Sequence, residues 1–418
     1  MVNRSLPPAF SRNFSFALPD PAVIQSGSTK FIFLSGVQQD VFKVEVVAQA
    51  GKWFEPKPGL AHFTSVMLNK GTSKRNARAI AELIDYYGSQ IEISSGYDFA
   101  SISLYGLQKH IEKTVPLFIE ILAEPTFPEV EFDLQKEIFL QNLEINEQKN
   151  SFLAAKAIRK NIFGALHPYG GSVEKENVEG LSGHDLKSFF HSHFSPYEIY
   201  SVGNFEARQL QWCVDQFSQL PPGKSVVGKE MPMASGNAIE HIPRPDSVQS
   251  TIRLGKRTVN RNDADYFPLL LLNHILGGYF GSRLMKNVRE KKGLTYGIYS
   301  SLTPFRNGCM FSIGADVNKN NLELTRDEVK KELQSLGMHS IEKEELEVAK
   351  NHLLGSFQLE VANPFSILDK IKSVRLNQLG DQYYKNLISE IERVDADGLK
   401  AIAKKYFDAG DLIEVTVG

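Results

Sequence analysis

Apolar and polar residues alternate from Val41 to Ala48, which predicts a half-buried strand, and Gly51 ends it. The period then lengthens. A helix is expected between Pro58, which suits a first helical turn, and Gly71, which suits a helix end. Ala79, Ile80, Leu83, Ile84 and Tyr87 recur at three and four residues and predict a second helix that Gly88 closes. Gln90 to Ser94 and Phe99 to Tyr105 read as a strand pair. A helical stretch follows from Ile111 to Leu122, stopped at Pro125, and then a long helix over about 130–149.

The same order returns further on. Ser250 to Gly255 reads as a strand, Phe267 to Ile275 as a helix, Leu276 to Gly281 as a Gly-rich turn, and Ser282 to Arg289 as a second helix stopped by Gly293. Tyr296 to Leu302 and Gly308 to Ala315 form a strand pair, with helices after it at about 321–336 and 341–361. The ends of the two halves also match. Leu181 to Val202 and Val394 to Val415 both read helix then strand at a constant offset of 213, pairing Leu186 with Leu399, Phe194 with Phe407 and Val202 with Val415. Between them, 219–245 carries several prolines and little periodicity and reads as a linker. The expected organisation is therefore an α+β chain of two homologous α/β-sandwich domains, 1–218 and 246–418, each a largely antiparallel sheet covered by helices.

Composition narrows the class of function. At 42% hydrophobic and 23% charged residues the 418-residue chain is neither disordered nor fibrous. A net charge of −2 gives no electrostatic reason to expect nucleic acid or an anionic membrane as the main partner. Cys213 and Cys309 are the only cysteines, which excludes a disulfide scaffold and Cys-based zinc and fits a reducing compartment. The longest apolar run, Tyr266 to Leu276, is broken by Pro268, Asn273 and His274, so no membrane span is expected. Residues 1–19 are weakly basic with Arg4 and Arg12, but Pro7 and Pro8 would break a transit helix, leaving the cytoplasm as the expected location.

The chemistry is concentrated in Gly59 to Thr72, which contains His62, Ser65 and Val66. This segment resembles the active-site helix of the pitrilysin/insulinase family of zinc peptidases, to which the mitochondrial processing peptidases belong. In that family the helix reads His-x-x-Glu-His, with two His at i and i+4 holding zinc and the Glu activating the metal-bound water. The resemblance places the first zinc ligand at His62, the general base at Ser65 and the second ligand at Val66. It places the third ligand, normally a Glu, at Asn142 in the helix from Asp133 to Glu144. Serine cannot take up the proton at neutral pH and valine cannot bind zinc. Glu144 is turned about 200° from Asn142 on a helix and is a poor substitute. The resemblance implies a processing-peptidase, LuxS-like metallohydrolase fold for each half and no zinc held by this chain.

A second motif remains complete. Arg289 and Tyr296 lie seven residues apart within Ser282 to Gly297. Alone, that spacing also fits a solvated helix end and an ordinary strand residue. In the family such a pair contacts substrate or the tetrahedral intermediate from across a chamber, and the resemblance implies that role here. His191 and His193, two apart on a helix, do not chelate one ion, and His167 to Gly170 is read as a turn.

The expectation is a non-catalytic subunit of a heterodimeric zinc peptidase, with no activity of its own. A homologous zinc-bearing subunit would be its partner, or a second copy when alone, and an unfolded peptide its substrate. A scaffold without proteolytic role is the alternative, and a displaced metal site on His62 and Glu144 a third.

Overall fold

The computed structural model describes residues 15–222 and 238–418. Most of the basic segment 1–19 and the centre of the 219–245 span therefore lie outside the described residues. The first half contains β1 (Ala22–Ser26), β2 (Thr29–Leu34), β3 (Val41–Ala48), α1 (Leu60–Met67), α2 (Ala77–Tyr86), β4 (Gln90–Ser95), β5 (Ala100–Leu107) and α3 (Ile111–Ala123). It continues with α4 (Glu129–Glu147), α5 (Asn150–Phe163), α6 (Lys175–Glu179), α7 (Gly183–His193), β6 (Pro196–Gly203) and α8 (Ala207–Phe217). The second half holds β7 (Ile239–Ile242), β8 (Gln249–Thr258), α9 (Tyr266–Asn273), β9 (Thr295–Phe305), β10 (Gly308–Asn318) and α10 (Leu322–Met338). After these come α11 (Lys343–Glu360), α12 (Pro364–Leu376), α13 (Tyr383–Arg393), α14 (Ala396–Tyr406) and β11 (Ile413–Val417).

Strand order is β1-β2-β6-β3-β5-β4 in one sheet and β7-β11-β8-β10-β9 in the other. The last five strands of the first order match the second strand for strand, and the parallel pair falls in the same place, β2 with β6 and β7 with β11. All other pairings are antiparallel. The α+β reading with two sheets covered by helices is thus the observed architecture. It differs in detail inside 219–245, read as irregular, where Ile239–Ile242 forms β7 on β11. Four residues that alternate between exposed and half-buried carry too short a pattern to signal a strand by themselves.

The helices do not all stay with their own sheet. α5 leaves the first half and lays Ala154, Ala157, Ile158 and Ile162 on Val415 and Val417 of the second sheet. In return α12 lays Leu368 and Ile371 on Ile32, Val47 and Val202 of the first. This second exchange changes β3. Alternation predicts one wet face, carrying Lys43 and Glu45, yet both are buried because α12 covers them. Lys372 of α12 donates to Glu45 at 2.7 Å, Lys43 pairs with Glu45 at 2.9 Å, and Arg375 pairs with Glu198 of β6 at 2.7 Å. Burial alone would drive the Glu45 carboxyl upward, but Lys372 and Lys43 outweigh it and hold the group ionised.

The α5 exchange is aromatic instead. Tyr169 stacks on Phe305 of β9 with centroids 4.2 Å apart, and its hydroxyl donates to Asp98 at 2.8 Å while accepting from the Asn307 amide at 3.2 Å. The His167 turn is present as expected. Its ring accepts the Tyr169 amide hydrogen and its carbonyl accepts those of Gly170 and Gly171.

Candidate functional site

Helix α1 starts where Gly59 turns the chain in the left-handed region, at φ 92°. Its first amides are capped from a distance in sequence, since Ala61 N–H donates to Glu55 Oε2 at 3.0 Å. Leu60, Ala61, Phe63, Thr64, Ser65 and Met67 are buried, so the helix is held on nearly every side against α4 and α7. His62 is half-buried. Its ring meets Phe63 at 5.2 Å and Phe139 of α4 at 5.3 Å, and burial lowers its pKa, favouring the neutral ring.

The remaining positions do not form a metal site. Ser65 is fully buried and its hydroxyl donates to the Ala61 carbonyl at 2.7 Å, one turn back along the helix. Val66 packs against the core, while Asn142 and Glu144 on α4 are both exposed. The donor set at this crossing is one imidazole among aromatic rings, an alcohol tied to the backbone and an apolar side chain, and it does not fit zinc. Glu144 does not complete it.

A cavity of about 300 Å³ opens beside His62, lined among others by Lys52, Glu55, Gly59, Tyr97 and Val173. Two of these charged residues escaped sequence reasoning. Burial raises the Glu55 carboxyl, against the amides of Ala61, Gly59 and Leu60, and burial lowers Lys52, with Arg159 adding to it. The signal was weak, because Lys52 and Glu55 stand in a loop before the helix, outside the matched motif. Edge strand β4 passes the same region and contacts α1.

In the second half the Arg289 helix is a π-helix, Met285–Lys291, rather than the expected α-helix. It ends as expected at Gly293, φ 62°. Gly293 N–H donates to Arg289 O at 3.1 Å and Leu294 N–H to Val288 O at 3.0 Å, closing bonds each one residue wider than those of a Schellman end. The Arg289 guanidinium lies over the Phe280 ring, 4.7 Å from its centroid, and Phe280 is itself exposed.

Tyr296 is 93% exposed near the start of β9, the edge strand of its sheet. The register with β10 shifts between Ala315 and Val317, placing the residues after Thr295 in a bulge. Thr295 closes that bulge by donating to Asp316 O at 2.6 Å and accepting from Gly297 N–H at 3.2 Å. A bulge at a sheet edge turns a side chain out of the pleat, which explains how a tyrosine in a strand becomes almost fully solvent-facing. No hydrogen bond joins Arg289 to Tyr296 among the described residues.

Ahead of this motif lies a second π-helix, His274–Gly278. His274 is buried, and its Nε2 is 3.0 Å from Nδ1 of His352 on α11. Burial first and His352 second hold its pKa down to about 4. Of the other histidines, His193 stacks on Phe189 at 4.5 Å, and it converges with His191 on no metal group among the described residues.

Comparison with known proteins agrees with this plan in both halves. The model of the insulinase family, peptidase family M16, matches residues 32–174, and that of the peptidase M16 inactive domain matches 180–353. The chain belongs to the M16 family. An uncharacterized zinc protease of Bacillus subtilis is 23% identical over 353 residues, covering 84% of this chain and 86% of that protein. One of Mycobacterium leprae is 24% identical over 358 residues, covering 84% and 80%. Among solved structures, a peptidase M16 inactive domain from Pseudomonas fluorescens superposes with a TM-score of 0.87 at 26% identity, covering 96% of this chain and 98% of that one. A protease from Helicobacter pylori reaches the same TM-score at 17% identity over 96% and 100%, a likeness of fold. This M16 chain thus keeps the family frame in both halves, while the crossing of α1 and α4 keeps one zinc donor, His62, beside Ser65 and Val66. Among the described residues no helix is long and apolar enough to cross a membrane.

Proposed function

We propose that this chain is the non-catalytic subunit of a two-subunit zinc peptidase. It would enclose and position an unfolded peptide while a homologous partner subunit brings the zinc and the glutamate base. The observation that carries the reading is the contrast between two motifs. Ser65 is sealed into helix α1 with its hydroxyl spent on the backbone, whereas Tyr296 stands 93% exposed on a bulge whose only evident effect is to present it.

Arg289 and Tyr296 supply complementary donors. A guanidinium pairs with a carbonyl or carboxylate of the bound peptide, and a phenol donates to an oxygen on which charge develops. Strands β4 and β9 end their sheets and offer free backbone groups to an extended peptide. The partner, this reading holds, is a homologous zinc-bearing subunit, and the chain pairs with itself when alone.

The test is a peptidase assay on the purified full chain with zinc, alone and after co-expression with a homologous chain bearing an intact His-x-x-Glu-His. Alone it is expected to cleave nothing. The pair is expected to be active, with Arg289→Ala lowering kcat/KM on the order of 100-fold. Full activity of the lone chain, or an Arg289→Ala complex as active as the parent, overturns the reading. The second outcome points to a scaffold, which has no use for the pair.

A further inference from the structure

The two halves repeat one crossing of helices with different side chains. In the first, His62 of α1 meets Phe139 of α4. In the second, the π-helix beginning at His274 meets α11 at His352. Phe139 and His352 stand 213 residues apart, the offset of the internal repeat, and His62 and His274 stand 212 apart. The first half has an imidazole against a hydrocarbon ring. The second has two imidazole nitrogens facing each other at 3.0 Å.

We propose that His274 and His352 chelate a divalent transition-metal ion of the copper(II) or nickel(II) class, with water completing its coordination. The geometry fits the class. Two nitrogens 3.0 Å apart, each at the usual 2.0–2.1 Å from a metal, subtend about 95° at the ion. That is the cis angle of a tetragonal or octahedral centre, which copper(II) and nickel(II) prefer. Tetrahedral zinc would need the nitrogens several tenths of an ångström further apart. No group of three His, Cys, Asp or Glu exists among the described residues to hold an ion, so two protein ligands plus water is the stoichiometry this site offers.

The surroundings hold both rings ready. Tyr279 stacks on His274 at 4.7 Å and 11° and meets His352 in a tilted contact at 4.6 Å and 35°, packing against both rings. Arg283 makes two 2.8 Å bonds from Nε and a terminal nitrogen to Glu345, tying the segment after the π-helix to α11 two turns before His352. Both rings would bind the ion as neutral imidazoles. Chelation requires the His274 proton on Nδ1 and the His352 proton on Nε2, so the ring that donates in the present hydrogen bond changes tautomer, the accepting ring keeps its own, and no net proton is released. Gly278 leaves room for the change, since a Cβ there would lie 2.8 Å from His274 Nδ1.

The site is independent of the proposed subunit role. Its test is calorimetry of the full-length chain with NiCl₂, supported by electron paramagnetic resonance with CuSO₄. The expected result is one ion per chain and a copper spectrum split by two nitrogens. His352→Phe copies the first half at an exposed position and should fold; it is expected to weaken binding at least about tenfold, as loss of a ligand costs more than loss of a supporting contact. His352→Gln, which keeps a polar group, should weaken it equally. Uptake of no ion by the parent chain, or unchanged uptake by both variants, overturns the proposal.

Discussion

Where α1 crosses α4, His62 lies among phenylalanines with a serine and a valine behind it; where the second π-helix crosses α11, His274 shares a hydrogen bond with His352 under a tyrosine lid. Both crossings belong to the same fold repeat, and both histidines are held neutral by burial. What differs is the second partner. A hydrocarbon ring turns the imidazole into packing, whereas a second imidazole leaves a nitrogen pair with ligand capacity. The fold supplies the place and one side chain decides the chemistry, which is why membership of the M16 family does not by itself say where this chain acts.

The largest effect is expected from forcing the first crossing back toward a metal frame. Ser65→Glu, Val66→His and Asn142→Glu together place a carboxylate where Ser65 is fully buried. Without a compensating ion the triple variant should lose on the order of 3–5 kcal/mol in denaturant unfolding. A variant as stable as the parent that takes up one zinc would show that the first crossing is still a metal frame. Next in size is the histidine at each crossing. His274→Ala empties a buried position and removes both a hydrogen bond and a stacked ring, and should cost about 2–3 kcal/mol. His62→Ala acts on a half-buried ring held only by aromatic contacts among the described residues and should cost about 1 kcal/mol. Equal losses would erase the distinction drawn between the two sites.

The two crossings were not equally legible in the sequence. Helix α1 follows from Pro58 and Gly71 and α4 from apolar spacing, and the degenerate positions Ser65, Val66 and Asn142 follow from the resemblance. Arg289 and Tyr296 were found in the same way. The bulge that exposes Tyr296 was not, although Gly297, a residue that strands disfavour and that often marks a bulge, was a signal for it. The His274–His352 pair joins residues 78 apart on two helices, and no periodicity links them. The exchanged helices were missed for a related reason. The apolar faces of α5 and α12 answer to the other half's sheet, and Lys43 and Glu45 imitate a wet strand face until Lys372 is brought over them. Pattern reading within one half cannot see a partner that arrives from the other.

A smaller effect is expected from acid. Burial sets the folded-state pKa of His62 below its ordinary 6.5, so above that value the ring is neutral in both states and costs nothing. As pH falls below 6.5 the unfolded chain takes up the proton first, and stability declines toward the folded-state value. His62→Phe removes this titration. The parent should therefore lose more stability than His62→Phe between pH 7 and pH 5 in parallel urea melts, and coincident pH profiles would mean that the ring is solvated.

The smallest expected effect tests whether Ser65 is a structural residue at all. Its hydroxyl donates to the Ala61 carbonyl, an oxygen also placed to accept the backbone bond from one turn later in α1. Ser65→Ala removes donor and side-chain bond together, strands no buried polar group, and replaces a residue of middling helix propensity by the best helix former. Those terms oppose each other, so the change should lie within about 1 kcal/mol of zero. The same substitution should also leave untouched the activity of a complex with a zinc-bearing subunit. A large drop in that activity at unchanged stability would move Ser65 from packing into chemistry, and with it the line drawn between the two crossings.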